Sequence, residues 1–110
     1  MKRRFYWDDW NREHITKHSV SIVEAEFVVR HSKRPFPKKS GEGKWAVWGR
    51  TAGNRLLQVL YVERAAEDLD FEQLTLEQIA ELEESSLPLE YIIHARDLTP
   101  DEKSRYGRSQ

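Results

Sequence analysis

Two hydrophobic periods alternate along this chain, and the changes between them mark its elements. Phe5-Tyr6-Trp7 is a short aromatic run suited to extended backbone. Asp8 follows and can cap a helix running to about His18. Ser21-Ile22-Val23-Glu24 is a capping box, in which serine and glutamate satisfy each other's backbone N–H groups. It opens a second helix through about Arg30. Residues 31–43 hold two Pro, two Gly and four Lys or Arg, and read as a mobile basic loop. The period then drops to two. Lys44 to Arg50 is a strand, Thr51-Ala52-Gly53-Asn54 a turn, and Leu56 to Glu63 a second strand, which together make a hairpin. Thr75-Leu76-Glu77-Gln78 is another capping box and predicts a helix over 75–84, packed by Leu76, Ile79 and Ala80. Glu90 to Arg96 is a third strand. Thr99-Pro100-Asp101-Glu102 combines a capping box with Pro at the first helical position and opens a C-terminal helix.

Strands adjacent in sequence, with helices at the ends, predict an α+β fold. It has a small, mostly antiparallel sheet, two N-terminal helices, a C-terminal helix and an acidic helical insertion at 65–89. At 110 residues the chain is one domain's worth.

The formal net charge of −1 conceals a segregation of charge. Residues 1–64 carry 14 Lys/Arg against 7 Asp/Glu, whereas residues 65–90 carry 9 Asp/Glu and no Lys or Arg. A basic surface favours polyanions such as nucleic acid. The plainer alternative is that charged faces solvate a small protein. No apolar run reaches the roughly 20 residues of a membrane span, and Met1-Lys2-Arg3-Arg4 lacks the apolar stretch of a signal peptide. The chain has no cysteine, so thiolate metal sites, disulfides and a cysteine nucleophile are excluded. A cytoplasmic protein without membrane partners is expected.

Three groups of residues could carry chemistry. Trp10, His14 and His18 are spaced to share one helix face, and His14 and His18 have the spacing of a metal pair. Position 15 is Ile rather than the Glu of a zinc protease, and no third ligand is marked, so no metal is expected. On the strands, Trp48 and Arg50 share a face, as do His94 and Arg96. Antiparallel pairing would gather Arg50, Arg55, His94 and Arg96 at one end of the sheet and leave Arg64 at the other. Guanidiniums beside an imidazole can bind phosphate and stabilise its developing charge. The competing reading is ordinary solvated strand ends. Trp45 and Trp48 face opposite sides and read first as core. There is no phosphate-binding glycine loop and no nucleophile elbow. Acid–base chemistry on a phosphodiester suits these residues best.

Three blocks resemble one family. The first is Phe5-Tyr6-Trp7-Asp8 with Asn11, His14-Ile15, Lys17-His18, Val20-Ser21, Glu24 and Glu26. The second is Trp48-Gly49-Arg50-Thr51 with Gly53, Arg55-Leu56-Leu57 and Val59. The third is Ile92 to Thr99 with Glu102-Lys103 and Arg105-Tyr106. The chain resembles the BrnT-like toxins of type II toxin–antitoxin systems, over most of its length except 31–43 and 65–89. The resemblance implies a RelE-like ribonuclease fold, metal-independent RNA cleavage that blocks translation, and no cofactor. It also implies a BrnA-like antitoxin partner, with promoter DNA bound only through the complex. Carried over by position, His18, Arg50, Arg96 and His94 are the expected catalytic residues, and Lys17, Arg55 and Tyr106 the expected RNA contacts. RNA supplies its own nucleophile, the 2′-OH, so His18 can serve as base and His94 or Tyr106 as acid. Two positions depart from the family. Ser19 stands where glycine is usual, and the 65–89 stretch replaces a short turn. That stretch is either a solvated amphipathic helix or an acidic flap over the basic face. A flap would make the protein a non-catalytic nucleic-acid- or protein-binding relative.

Overall fold

A computed structural model describes residues 4–64, 75–77 and 89–109. In chain order the described elements are α1 (Asp9–Thr16), α2 (Ile22–Arg30), β1 (Lys38–Lys39), β2 (Lys44–Arg50), β3 (Leu56–Arg64), β4 (Leu89–Asp97) and α3 (Pro100–Ser109). The strands form one sheet in the order β1-β2-β3-β4, antiparallel throughout. This is the α+β layout expected from the pattern.

The capping residues act as their types require. The Asp8 side chain accepts the Asn11 backbone N–H (3.1 Å), and the Asn11 side chain accepts that of Asp8 (2.8 Å). Ser21 and Glu24 exchange the same pair of bonds at 3.1 and 3.0 Å. Thr99 and Glu102 do so at the start of α3. Asn11 is fully buried and also donates to the Tyr6 carbonyl, which fixes the aromatic run against α1. Phe5 makes a single parallel bridge to Glu90 rather than a strand of its own.

One face of the sheet meets α1 and α2. Val47, Leu57, Val59, Ile92 and Ala95 are buried there with Ile15, Val20, Ala25, Val28 and Val29. Gly49 allows the close approach of α2, since a Cβ there would lie 3.3 Å from a Val28 methyl. On the other face, Trp48, Gln58 and Arg96 form one cross-strand row, with Trp48 Nε1 donating to Gln58 at 2.9 Å. From α3, Arg105 lies over the Trp48 ring and Glu102 pairs with Arg96, so α3 lies along this face.

Three expectations change. The 31–43 segment is not simply a loop: Phe36 is buried in the core and Lys38–Lys39 pairs with Trp45 and Ala46. Trp45 and Trp48 are both partly buried and pack against the core rather than within it. Leu76 is helical but 85% exposed, so it does not pack as an apolar helix face would. The rest of the predicted 75–84 helix, with Ile79 and Ala80, lies outside the described residues, as does most of the acidic stretch. No helix among the described residues is long and apolar enough to cross a membrane.

Candidate functional site

His18 owes its position to the way α1 ends. Ser19 donates to the Thr16 carbonyl (3.0 Å) and Val20 to the Ile15 carbonyl (3.3 Å), with Ser19 at φ 57°. This is the Schellman arrangement, in which a left-handed residue stops the helix and two apolar residues meet behind it. Ile15 and Val20 are those residues, both buried. The helix therefore ends at Thr16, two residues short of the expected limit. His18 lies beyond it, exposed on the reversal beside exposed Lys17, and does not continue the helical face of Trp10 and His14.

His94 is placed by a β-bulge. Ile92 pairs with Tyr61 and His94 with Leu60, which leaves Ile93 as the extra residue. Bulges re-aim side chains beside the kink. The His94 and His18 ring centroids are 4.8 Å apart, with the planes tilted by 59°. Burial depresses the His94 pKa below the ordinary histidine value, and the charges of His18, Arg96 and His14 depress it further. Its Nδ1 is buried with no hydrogen-bond partner among the described residues. His94 is thus a neutral imidazole at pH 7, against a second imidazole open to solvent.

Next to the pair is an aromatic stack. Trp10 stacks on His14 at 4.1 Å and on Tyr91 at 6.2 Å. The Tyr91 hydroxyl donates to the Asp8 carboxylate, and the Arg64 guanidinium lies 4.3 Å from the Tyr91 ring centroid. Burial and the bond to Asp8 push the Tyr91 phenol well above its ordinary pKa.

The arginines divide. Arg96 donates to both carboxylate oxygens of Glu102, at 2.7 and 2.9 Å. The pairing with Arg96, helped by the Thr99 backbone N–H and hydroxyl at the cap, holds Glu102 down to about 2. Arg55 grips both oxygens of Asp97 at 2.6 and 2.8 Å. It also donates to the Ser19 carbonyl (2.8 Å), the His18 carbonyl (3.3 Å) and Glu24. Asp97 first, and Glu24 with it, raise the Arg55 pKa, and the whole set of bonds commits it to holding the His18 reversal against the end of β4. Arg50 is exposed and donates to Asn54 at 3.0 Å. It lines a groove of about 540 Å³ with Tyr106, Lys33 and His31. Arg50, Arg55 and Arg96 do fall at one end of the sheet, as expected, and Arg64 at the other, but His94, expected with the three arginines, pairs with Leu60 at the middle of β3. Their side chains nonetheless serve three different surroundings.

Among the described residues, no group of three His, Cys, Asp or Glu is placed to hold a metal ion. What the site offers is a neutral imidazole, a second imidazole in contact with it, and a guanidinium two residues along β4. Sequence reasoning named His18 and His94 but not their contact, which depends on the bulge and the helix stop. It missed Glu102 and Asp97 as arginine partners. The capping box drew attention to Glu102, but only as a cap. Comparison with protein-family models, curated proteins and solved structures found no match for this chain.

Proposed function

We propose that this protein is an endoribonuclease of the BrnT-like kind, cleaving RNA by attack of the 2′-OH on the adjacent phosphate. The observation that carries the reading is the contact between His18 and His94. Cleavage of this type needs one group to take the 2′-OH proton and another to give a proton to the departing 5′-oxygen. The depressed pKa of His94 supports assigning it the base, which reverses the assignment made from position alone. The exposed imidazole of His18, when protonated, then serves as the acid. The 2′-oxygen bonds to phosphorus, the 5′-oxygen leaves with the proton from His18, and the product is a 2′,3′-cyclic phosphate. Arg96 is the cation nearest along the chain to His94 for the charge that develops on phosphate. Arg55 acts as a positioning residue for the His18 backbone. The RelE-like character of the fold, translational arrest, a cytoplasmic location and a BrnA-like antitoxin belong to the same proposal.

One observation favours the second reading, a non-catalytic nucleic-acid- or protein-binding relative. Arg55 and Arg96 are both already paired with carboxylates, which reduces the charge they offer to phosphate. The experiment that separates the two is cleavage of end-labelled RNA in excess EDTA by the wild type, His18→Ala and His94→Ala. The ribonuclease reading expects cyclic phosphate ends from the wild type and a roughly 10²–10⁴-fold loss in each variant. Equal cleavage by all three proteins would remove the histidine assignment. RNA binding without cleavage by the wild type would favour the second reading.

A further inference from the structure

A second basic feature lies away from the histidine pair. The groove that contains Arg50 is also lined by Lys33 and His31, with Tyr106 on its wall. A neighbouring groove of about 530 Å³ is lined by Lys38, Lys39 and Arg105, with Trp48 and Phe36. Phe36 of the second groove and Tyr106 of the first have ring centroids 6.2 Å apart, so the two grooves adjoin across this pair. Among the described residues, five Lys or Arg line the two grooves and no Asp or Glu does. The chain as a whole has 19 acidic and 18 basic residues, so the exclusion of carboxylates is selective. All five cations are exposed. Arg105 also has Asp101 at 3.6 Å on its own helix, an exposed pair of little strength.

The second groove ends at Gln58, whose cross-strand partner is Arg96. The first groove is farther off. Arg50 and His94 are two strands and four residues apart in register, or roughly 16 Å at Cα. We propose that the two grooves form one track that holds an unpaired RNA strand by its phosphates, several nucleotides from the bond that His18 and His94 would cleave. A groove combining cations with aromatic walls is the usual means of holding a single strand, because phosphates meet the cations while bases lie on rings. Three of the five cations, Lys33, Lys38 and Lys39, lie in the 31–43 segment, outside the resemblance to the toxin family. The track rests on the RNA reading but not on catalysis.

Binding of a labelled 2′-O-methyl RNA oligomer, which keeps the phosphates and lacks the nucleophile, tests the track. The proteins compared are the wild type, Lys33→Ala with Arg50→Ala, Lys38→Ala with Lys39→Ala, and Arg12→Ala with Lys103→Ala. Arg12 and Lys103 are exposed and line neither groove, so the last pair removes the same charge elsewhere. Each groove pair should weaken binding roughly tenfold or more at low salt and lower the slope of log K against log salt by about 1.4. The control pair should do much less. An equal effect of the control overturns the track and leaves diffuse attraction. A duplex competitor as effective as the single strand overturns the assignment of an unpaired strand. A polyglutamate peptide that displaces the RNA at equal concentration reassigns the track to an acidic protein partner. Wild type that does not bind the oligomer removes the RNA reading along with the track, whereas wild-type binding that the groove variants leave intact removes the track alone.

Discussion

Single residues set the geometry of the histidine pair. Ser19 adopts φ 57° at the helix stop, a conformation that costs a side-chain-bearing residue about 1 kcal/mol relative to glycine. Ser19→Gly should therefore raise stability by up to about 1 kcal/mol, seen as a rise of a few degrees in Tm. An unchanged or lower Tm would show that the serine is not strained. His94 makes stability depend on pH in a defined direction. Its native pKa lies below the ordinary value of 6.5, so on acidification the unfolded chain takes up this proton first. The contribution of the neutral imidazole is thus complete above about pH 6.5 and is lost as pH falls toward the depressed native value. His94→Gln should flatten the dependence of Tm on pH between 7 and 5. A profile identical to wild type would contradict the burial of that ring.

At the scale of elements, arginine–carboxylate forks tie the pieces together. Arg55 joins the α1–α2 reversal to the end of β4, and Arg96 joins β4 to the first turn of α3. A planar fork makes these bonds in pairs, which a lysine ammonium does not. Arg55→Lys should keep the charge yet lower Tm by several degrees, with a loss close to that of Arg55→Ala. Rescue of stability by lysine would mean that charge alone matters there. Glu102→Gln tests the other fork. It should destabilise α3 above pH 5 and have little further effect near pH 2, because the wild-type carboxylate is itself lost as pH falls through about 2. The elements themselves were largely legible in the sequence. The capping boxes read at Ser21 and Thr99 form, Asp8 caps α1 as read, β2 has the expected ends, and α2 runs from Ile22 to Arg30. Local rules suffice there, because a cap or a period of two involves neighbours in the chain. The end of α1 was missed by two residues, since a serine carries no sequence mark of the left-handed conformation that glycine would have signalled.

Across the whole molecule the charges are segregated in sequence, and the basic grooves are distinct from the histidine pair. The basic grooves flank the Phe36–Tyr106 pair, while the histidine pair lies where the α1 reversal meets the β4 bulge. The acidic stretch between β3 and β4 carries eight carboxylates from Glu67 to Glu84. Neutralising them to Asn and Gln should strengthen RNA binding at low salt, with the gain fading as salt screens the charges. Unchanged affinity at low salt would count against a masking role for this stretch.

By itself the sequence determined the α+β class, the antiparallel order of strands, the caps, and the end of the sheet at which the arginines fall. Each follows from local periodicity or from the alternation of faces along a strand. Only the tertiary structure decided which of those charged side chains would be available. Arg50 opens onto a groove, whereas Arg55 and Arg96 meet Asp97 and Glu102. It also brought His18 against His94, through a left-handed serine and an extra residue in β4. The reason is physical: a hydrogen-bond partner distant in the chain is chosen by packing, and packing depends on the assembled core.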